Sequence, residues 1–103
     1  MEPGLEGLSG LGGELREAIL RAAAALKAAG AREVYLFGSA AYGKVREGSD
    51  VDLAVVGLPG RVFFKAMADA HDALGRQLDL IDLDDDSDFV RYLREHGELV
   101  RVG

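Results

Sequence analysis

Val34-Tyr35-Leu36-Phe37-Gly38-Ser39, followed after ten residues by Asp50-Val51-Asp52-Leu53-Ala54-Val55-Val56, decides how this chain is to be read. Val34 to Phe37 and Val51 to Val56 are short apolar runs with β-branched and aromatic members, each bounded by turn residues, and both read as strands. Gly38 and Ser39 leave the end of the first strand and open a short helix, so backbone N–H groups and the positive helix end face whatever sits above the turn. Phosphate is the natural guest. Gly38 lets the backbone approach it closely, and Ser39 adds a hydroxyl donor. Taken alone, the pair is explained more simply as a plain strand-to-helix turn with Ser39 as N-cap. The second strand changes that reading.

Asp50 and Asp52 lie two apart at the start of that strand, and the period of two sends both side chains to one face, with Cα atoms roughly 6.5 Å apart. Two like charges sharing a site repel, so the pair calls for a cation or a surplus of hydrogen bonds. Mg²⁺ meets that need, because it takes hard oxygen ligands from one or two carboxylates together with waters and substrate phosphates. Two solvated strand-end aspartates would account for the Asp-Val-Asp alone. Asp79 then enters in a third strand between Leu78 and Leu80, where an isolated carboxylate is costly unless it faces a polar site. It is read as the third acidic ligand. Asp82, taken to share that face, is the competing candidate.

Outward from these strands the pattern turns helical. Leu15, Ile19, Ala22 and Leu26 mark one face of a first helix that starts at Glu14 and stops at Gly30. Pro59 and Gly60 break the chain before Phe63, Met67, Ala70 and Leu74 mark another, closed by Gly75. Leu78 to Leu83 reads as the third strand. Ser87 is then the N-cap of a last helix ending at Gly97. The order is α, β, short α, β, α, β, α, an α/β (α+β) class with one layer of strands packed against helices. Residues 1–13 are rich in Gly and form a flexible N-terminal arm; residues 14–103 form the domain.

A chain of 103 residues with 49% hydrophobic and 29% charged residues has the length and composition of one ordinary globular domain. It contains no cysteine, which removes disulfides and thiolate zinc sites and fits the cytoplasm. No run is long and apolar enough for a membrane span, and the N-terminus lacks a signal peptide's positive start. The net charge of −6 argues against a general affinity for nucleic acid. Other residues read as structural. His71 and His96 are surface or helix-end histidines. Asp84, Asp85, Asp86 and Asp88 precede a helix whose positive end favours carboxylates. Phe63, Phe64 and Met67 have the spacing of core residues in preference to a base pocket.

The Gly-Ser turn, the ten-residue gap, the Asp-x-Asp on a strand and the later strand Asp together resemble the DNA polymerase β-like nucleotidyltransferase superfamily. Within it the short length and the motifs are similar to the minimal nucleotidyltransferases, over about Glu14 to Val102. The resemblance implies a mixed sheet with helices packed against it, in which Gly38 and Ser39 hold a nucleoside triphosphate. It implies that Asp50, Asp52 and Asp79 are the catalytic carboxylates and ligate Mg²⁺, with Asp79 near the acceptor hydroxyl. Minimal nucleotidyltransferases are commonly paired with HEPN-domain toxins, so the resemblance further implies a Mg²⁺-dependent transfer, of AMP from ATP, to a hydroxyl of such a partner, as an antitoxin. Ala40 and Ala41 stand where many relatives carry a basic residue, which leaves Lys44, Arg46 or Lys65 to assist the phosphates. A binding module that neutralises its partner by contact is the alternative. A polymerase domain is disfavoured by the absence of a basic groove, and a homo-oligomer remains compatible with the sequence.

Overall fold

The computed structural model describes residues 13–38 and 50–103. Helix α1 spans Gly13–Ala28, β1 Glu33–Phe37, β2 Val51–Val56, α2 Phe63–Leu74, β3 Leu78–Asp82, α3 Asp88–His96 and β4 Val100–Arg101, with a 3-10 turn over Gly60–Val62 leading into α2. The strands form one mixed sheet in the order β3-β2-β1-β4. β1 runs antiparallel to both β2 and β4, and β2 runs parallel to β3. A parallel pair needs a crossover, and α2 supplies it.

Side-chain parity divides the sheet into two faces, each with its own core. Val34, Leu36, Val51, Leu53, Val55 and Leu78 point to one face, where they pack against Ile19, Ala22, Ala23 and Leu26 of α1 and Ala66, Ala70 and Leu74 of α2. Phe37, Ala54 and the partly buried Tyr35, Val56 and Ile81 point to the other, which is covered by Val90 and Leu93 of α3 together with Leu83. The layer of strands packed against helices expected from the sequence is present, and the helices lie on both of its faces. α3 is amphipathic over only nine residues, and a periodic stripe does not say which face of a sheet it will cover.

The helix ends follow their chemistry. Gly75 closes α2 at φ 76°, a left-handed conformation that a residue with a Cβ adopts at a cost. Ser87 caps α3, its hydroxyl oxygen accepting the Val90 N–H at 3.2 Å. The acidic run before α3 is turn and end chemistry, as its sequence suggested: Asp84 accepts the Gly57 N–H at 2.7 Å, Asp82 accepts the Asp84 N–H at 2.9 Å, and Arg91 pairs with Asp86 and Asp88. Gly13 belongs to α1 and not to the proposed arm; the rest of that arm, residues 1–12, lies outside the described residues, as does the short helix expected after Gly38. β4 was not foreseen, because two residues carry no readable period. Phe64 is 76% exposed and so is not the core residue its spacing suggested, whereas Phe63 and Met67 do pack against the core.

Ile19 is fully buried at the centre of the larger core. Ile19→Ala should therefore destabilise the domain by about 2–5 kcal/mol without touching the carboxylates on the other face. A urea titration that returned a wild-type midpoint would mean that α1 does not pack as described.

Candidate active site

Two strand pairings position the acidic residues. In the antiparallel ladder Asp52 stands opposite Phe37, the last residue of β1, and in the parallel ladder it stands opposite Asp79. Asp52 is thus flanked by the β1 end on one side and by a second carboxylate on the other. All three of Asp52, Asp79 and Phe37 lie on the face covered by α3. Asp50 immediately precedes β2 and is exposed, Asp79 is also exposed, and Asp52 is half-buried between them.

Gly38 closes a further side. Its φ is +72°, and a Cβ added there would stand 3.2 Å from Asp52 Cγ and closer still to Oδ2. The sequence assigned this glycine to the approach of a phosphate. The structure adds that the group already pressed against it is the Asp52 carboxyl.

This crowding sets the electrostatics. Burial, the charge of Asp79, a hydrogen bond between the Asp52 and Asp79 carboxyls, and the charge of Asp50 together push Asp52 from 3.8 up to about 6. A carboxyl pair sharing a proton in this way suits a site that otherwise holds a cation, because a cation removes the same repulsion. The donor set, all carboxylate oxygen, fits Mg²⁺ and not a soft metal. Among the described residues no three His, Cys, Asp or Glu side chains are gathered closely enough to form a complete ligand set. Asp52 and Asp79 are in contact, and Asp50 acts on Asp52 by charge.

The competing candidate is corrected. Asp79 and Asp82 are three apart in one strand, so they point to opposite faces, and Asp82 lies opposite Val55 on the side of α1 and α2. Lys65 is corrected likewise: it sits in the groove between α1 and α2, paired with Asp69 at 3.1 Å, across the sheet from Asp52. Ser39, Lys44 and Arg46 lie outside the described residues. His71 and His96 are exposed, as expected.

One feature of the site was missed. Phe37, Gly38, Phe89, Tyr92, Leu93 and His96 help line a groove of about 340 Å³ directly beside the glycine turn. The available signal was the aromatic pair Phe89 and Tyr92, three apart in α3, which a single apolar stripe does not require.

Comparison with known proteins bears on this geometry. The family described as Polymerase beta, Nucleotidyltransferase matches residues 23–101, a range containing Gly38, Asp50, Asp52 and Asp79. No curated protein matches the chain. Among solved structures, a crystal structure of a toxin-antitoxin with AMP-PNP is similar with a TM-score of 0.64 and 23% identity, covering 85% of this chain and 72% of that one. At that identity the likeness is one of fold.

The raised Asp52 pKa makes a signed forecast. The folded state holds this proton up to about 6, while the unfolded chain releases it near 3.8. Between those values the folded state binds more protons, so this group's contribution to stability falls as pH rises and the deficit is complete above about 6. Asp52→Asn should gain melting temperature relative to wild type across that window, and Mg²⁺ should raise the wild type but not the variant above it. Parallel melting curves from pH 4 to 8 would contradict the coupling of Asp52 to Asp79.

Proposed function

The chain belongs to the polymerase beta nucleotidyltransferase family, and from that premise we propose that it transfers a nucleotidyl group, AMP from ATP, to a hydroxyl on a HEPN-type toxin partner, as the antitoxin of a toxin–antitoxin pair. The observation that carries this reading is the convergence of Asp52 and Asp79, with Asp50 beside them, against the turn at Gly38. The similar fold of a toxin-antitoxin crystallised with AMP-PNP supports both the nucleotide and the kind of partner. A minimal nucleotidyltransferase is the subgroup that this short chain resembles.

In this reading Gly38 and Ser39 receive the triphosphate through backbone N–H groups and the Ser39 hydroxyl. Asp50, Asp52 and Asp79 would hold Mg²⁺, which when bound neutralises phosphate charge and stabilises departing pyrophosphate. The acceptor oxygen bonds to the α-phosphorus, the bond from that phosphorus to the bridging oxygen breaks, and pyrophosphate leaves. Asp79, the more exposed of the contacting pair, faces the acceptor and takes the hydroxyl proton. Asp52, wedged between Gly38 and Asp79, fixes the relation of the phosphate turn to that base. The domain itself offers little surface for binding an acceptor, so the partner supplies the acceptor and covers the site, displacing water. No described helix is long and apolar enough to cross a membrane.

Intact-protein mass spectrometry of the toxin after incubation with ATP and Mg²⁺ should show additions of roughly 329 Da each, the mass of a transferred AMP unit. Asp52→Asn and Asp79→Asn should abolish them, and Asp82→Asn, on the opposite face, should not. Neutralisation of the toxin with no added mass would replace the enzyme by a module that acts through contact alone. Loss of transfer in Asp82→Asn but not in Asp79→Asn would overturn the assignment of the third carboxylate.

A further inference from the structure

We propose that the groove between the Gly38 turn and α3 is the platform on which the base of the nucleoside triphosphate stacks, with Phe89 and Tyr92 as its stacking side chains. The inference rests on the proposed nucleotide site and extends it to residues of α3.

Large aromatic side chains are normally covered, yet Phe89 is 53% and Tyr92 62% exposed, and both lie on the helix face turned toward the groove. Each is held by a second ring. Phe89 lies against Phe37 with centroids 6.4 Å apart, and Tyr92 against His96 with centroids 5.3 Å apart. Rings braced in this way lose little freedom when a flat ligand settles on them. The groove's volume of about 340 Å³ falls within the usual size of small-molecule sites. Its floor includes Phe37 and Gly38, the residues that lead directly to the Asp52 carboxyl. A triphosphate anchored at that turn therefore has its base within reach of α3.

The other aromatic cavity does not compete for this role. It lies beside Phe63, Phe64, Asp82, Asp84 and Asp85, on the side of the sheet opposite Asp52. Among the described residues, the α3 groove joins aromatic walls to the acidic site on a common face.

Calorimetric titration of ATP and of inorganic tripolyphosphate, each with Mg²⁺, separates the base from the phosphates. Phe89→Leu and Tyr92→Leu should each weaken ATP binding about tenfold, as loss of one stacking contact implies. Tyr92→Phe should keep wild-type ATP affinity, and tripolyphosphate affinity should be the same in every variant, which also shows that the fold is intact. Unchanged ATP binding in both Leu variants would overturn the platform while leaving the phosphate site standing, as would loss of partner binding alone. A wild-type chain that bound neither probe would remove the phosphate site and the platform with it. Equal losses for ATP and tripolyphosphate would mean that α3 supports the turn and stacks no base.

Discussion

At the end of β1 the carboxyl of Asp52 fills the space that a side chain at residue 38 would take, and only glycine there lets it fit. The antiparallel register brings residue 37 opposite residue 52, so the contact follows from strand pairing, before any ligand is considered. With one side closed by backbone, the carboxyl is confined toward Asp79, its partner in the parallel ladder. Burial and like charge then raise its pKa together. One glycine thus links the turn suited to phosphate with the carboxylates suited to a cation.

Such a site needs a scaffold that does not yield. The larger core lies on the opposite face, where α1 and α2 bury the inward residues of all three long strands. The smaller core under α3 holds Phe37 and Ala54, neighbours of Asp52 on its own face. Arg94 ties α3 to the end of β3 by donating to the Leu83 carbonyl. The paired carboxyls therefore occupy the lightly covered face and the packing energy resides mainly on the other, an arrangement that leaves them partly open to solvent without thinning the core.

Much of this was legible because strand parity is strict. The apolar run ending at Phe37 put Gly38 at the end of a strand, and the period of two put Asp52 on one face with Ala54. The same parity was misapplied to Asp82, which an odd separation from Asp79 sends across the sheet. Which strand lies beside which is a different kind of information. Nothing in Leu78 to Asp82 says that it pairs in parallel with β2, yet that register is what sets Asp79 against Asp52. Phe64 and the aromatic face of α3 were obscure for a related reason: helical periodicity marks apolar positions but not the extent of the surface that will cover them. The two-residue β4 depends wholly on the neighbour it pairs with.

The crowded carboxyls also explain why the site should respond to what binds it. A fold that holds Asp52 beside Asp79 sacrifices stability above the pH at which their shared proton leaves, and the loss is complete once both carboxyls are charged. Anything that supplies positive charge to the folded state alone recovers part of that loss through linkage. A nucleoside triphosphate by itself adds negative charge and would deepen the repulsion, whereas a divalent cation relieves it first. Electrostatics thus favours joint occupancy by cation and nucleotide over nucleotide alone, and the half-buried position of Asp52, where charge is less screened than at the surface, makes that preference stronger than it would be for the two exposed aspartates beside it.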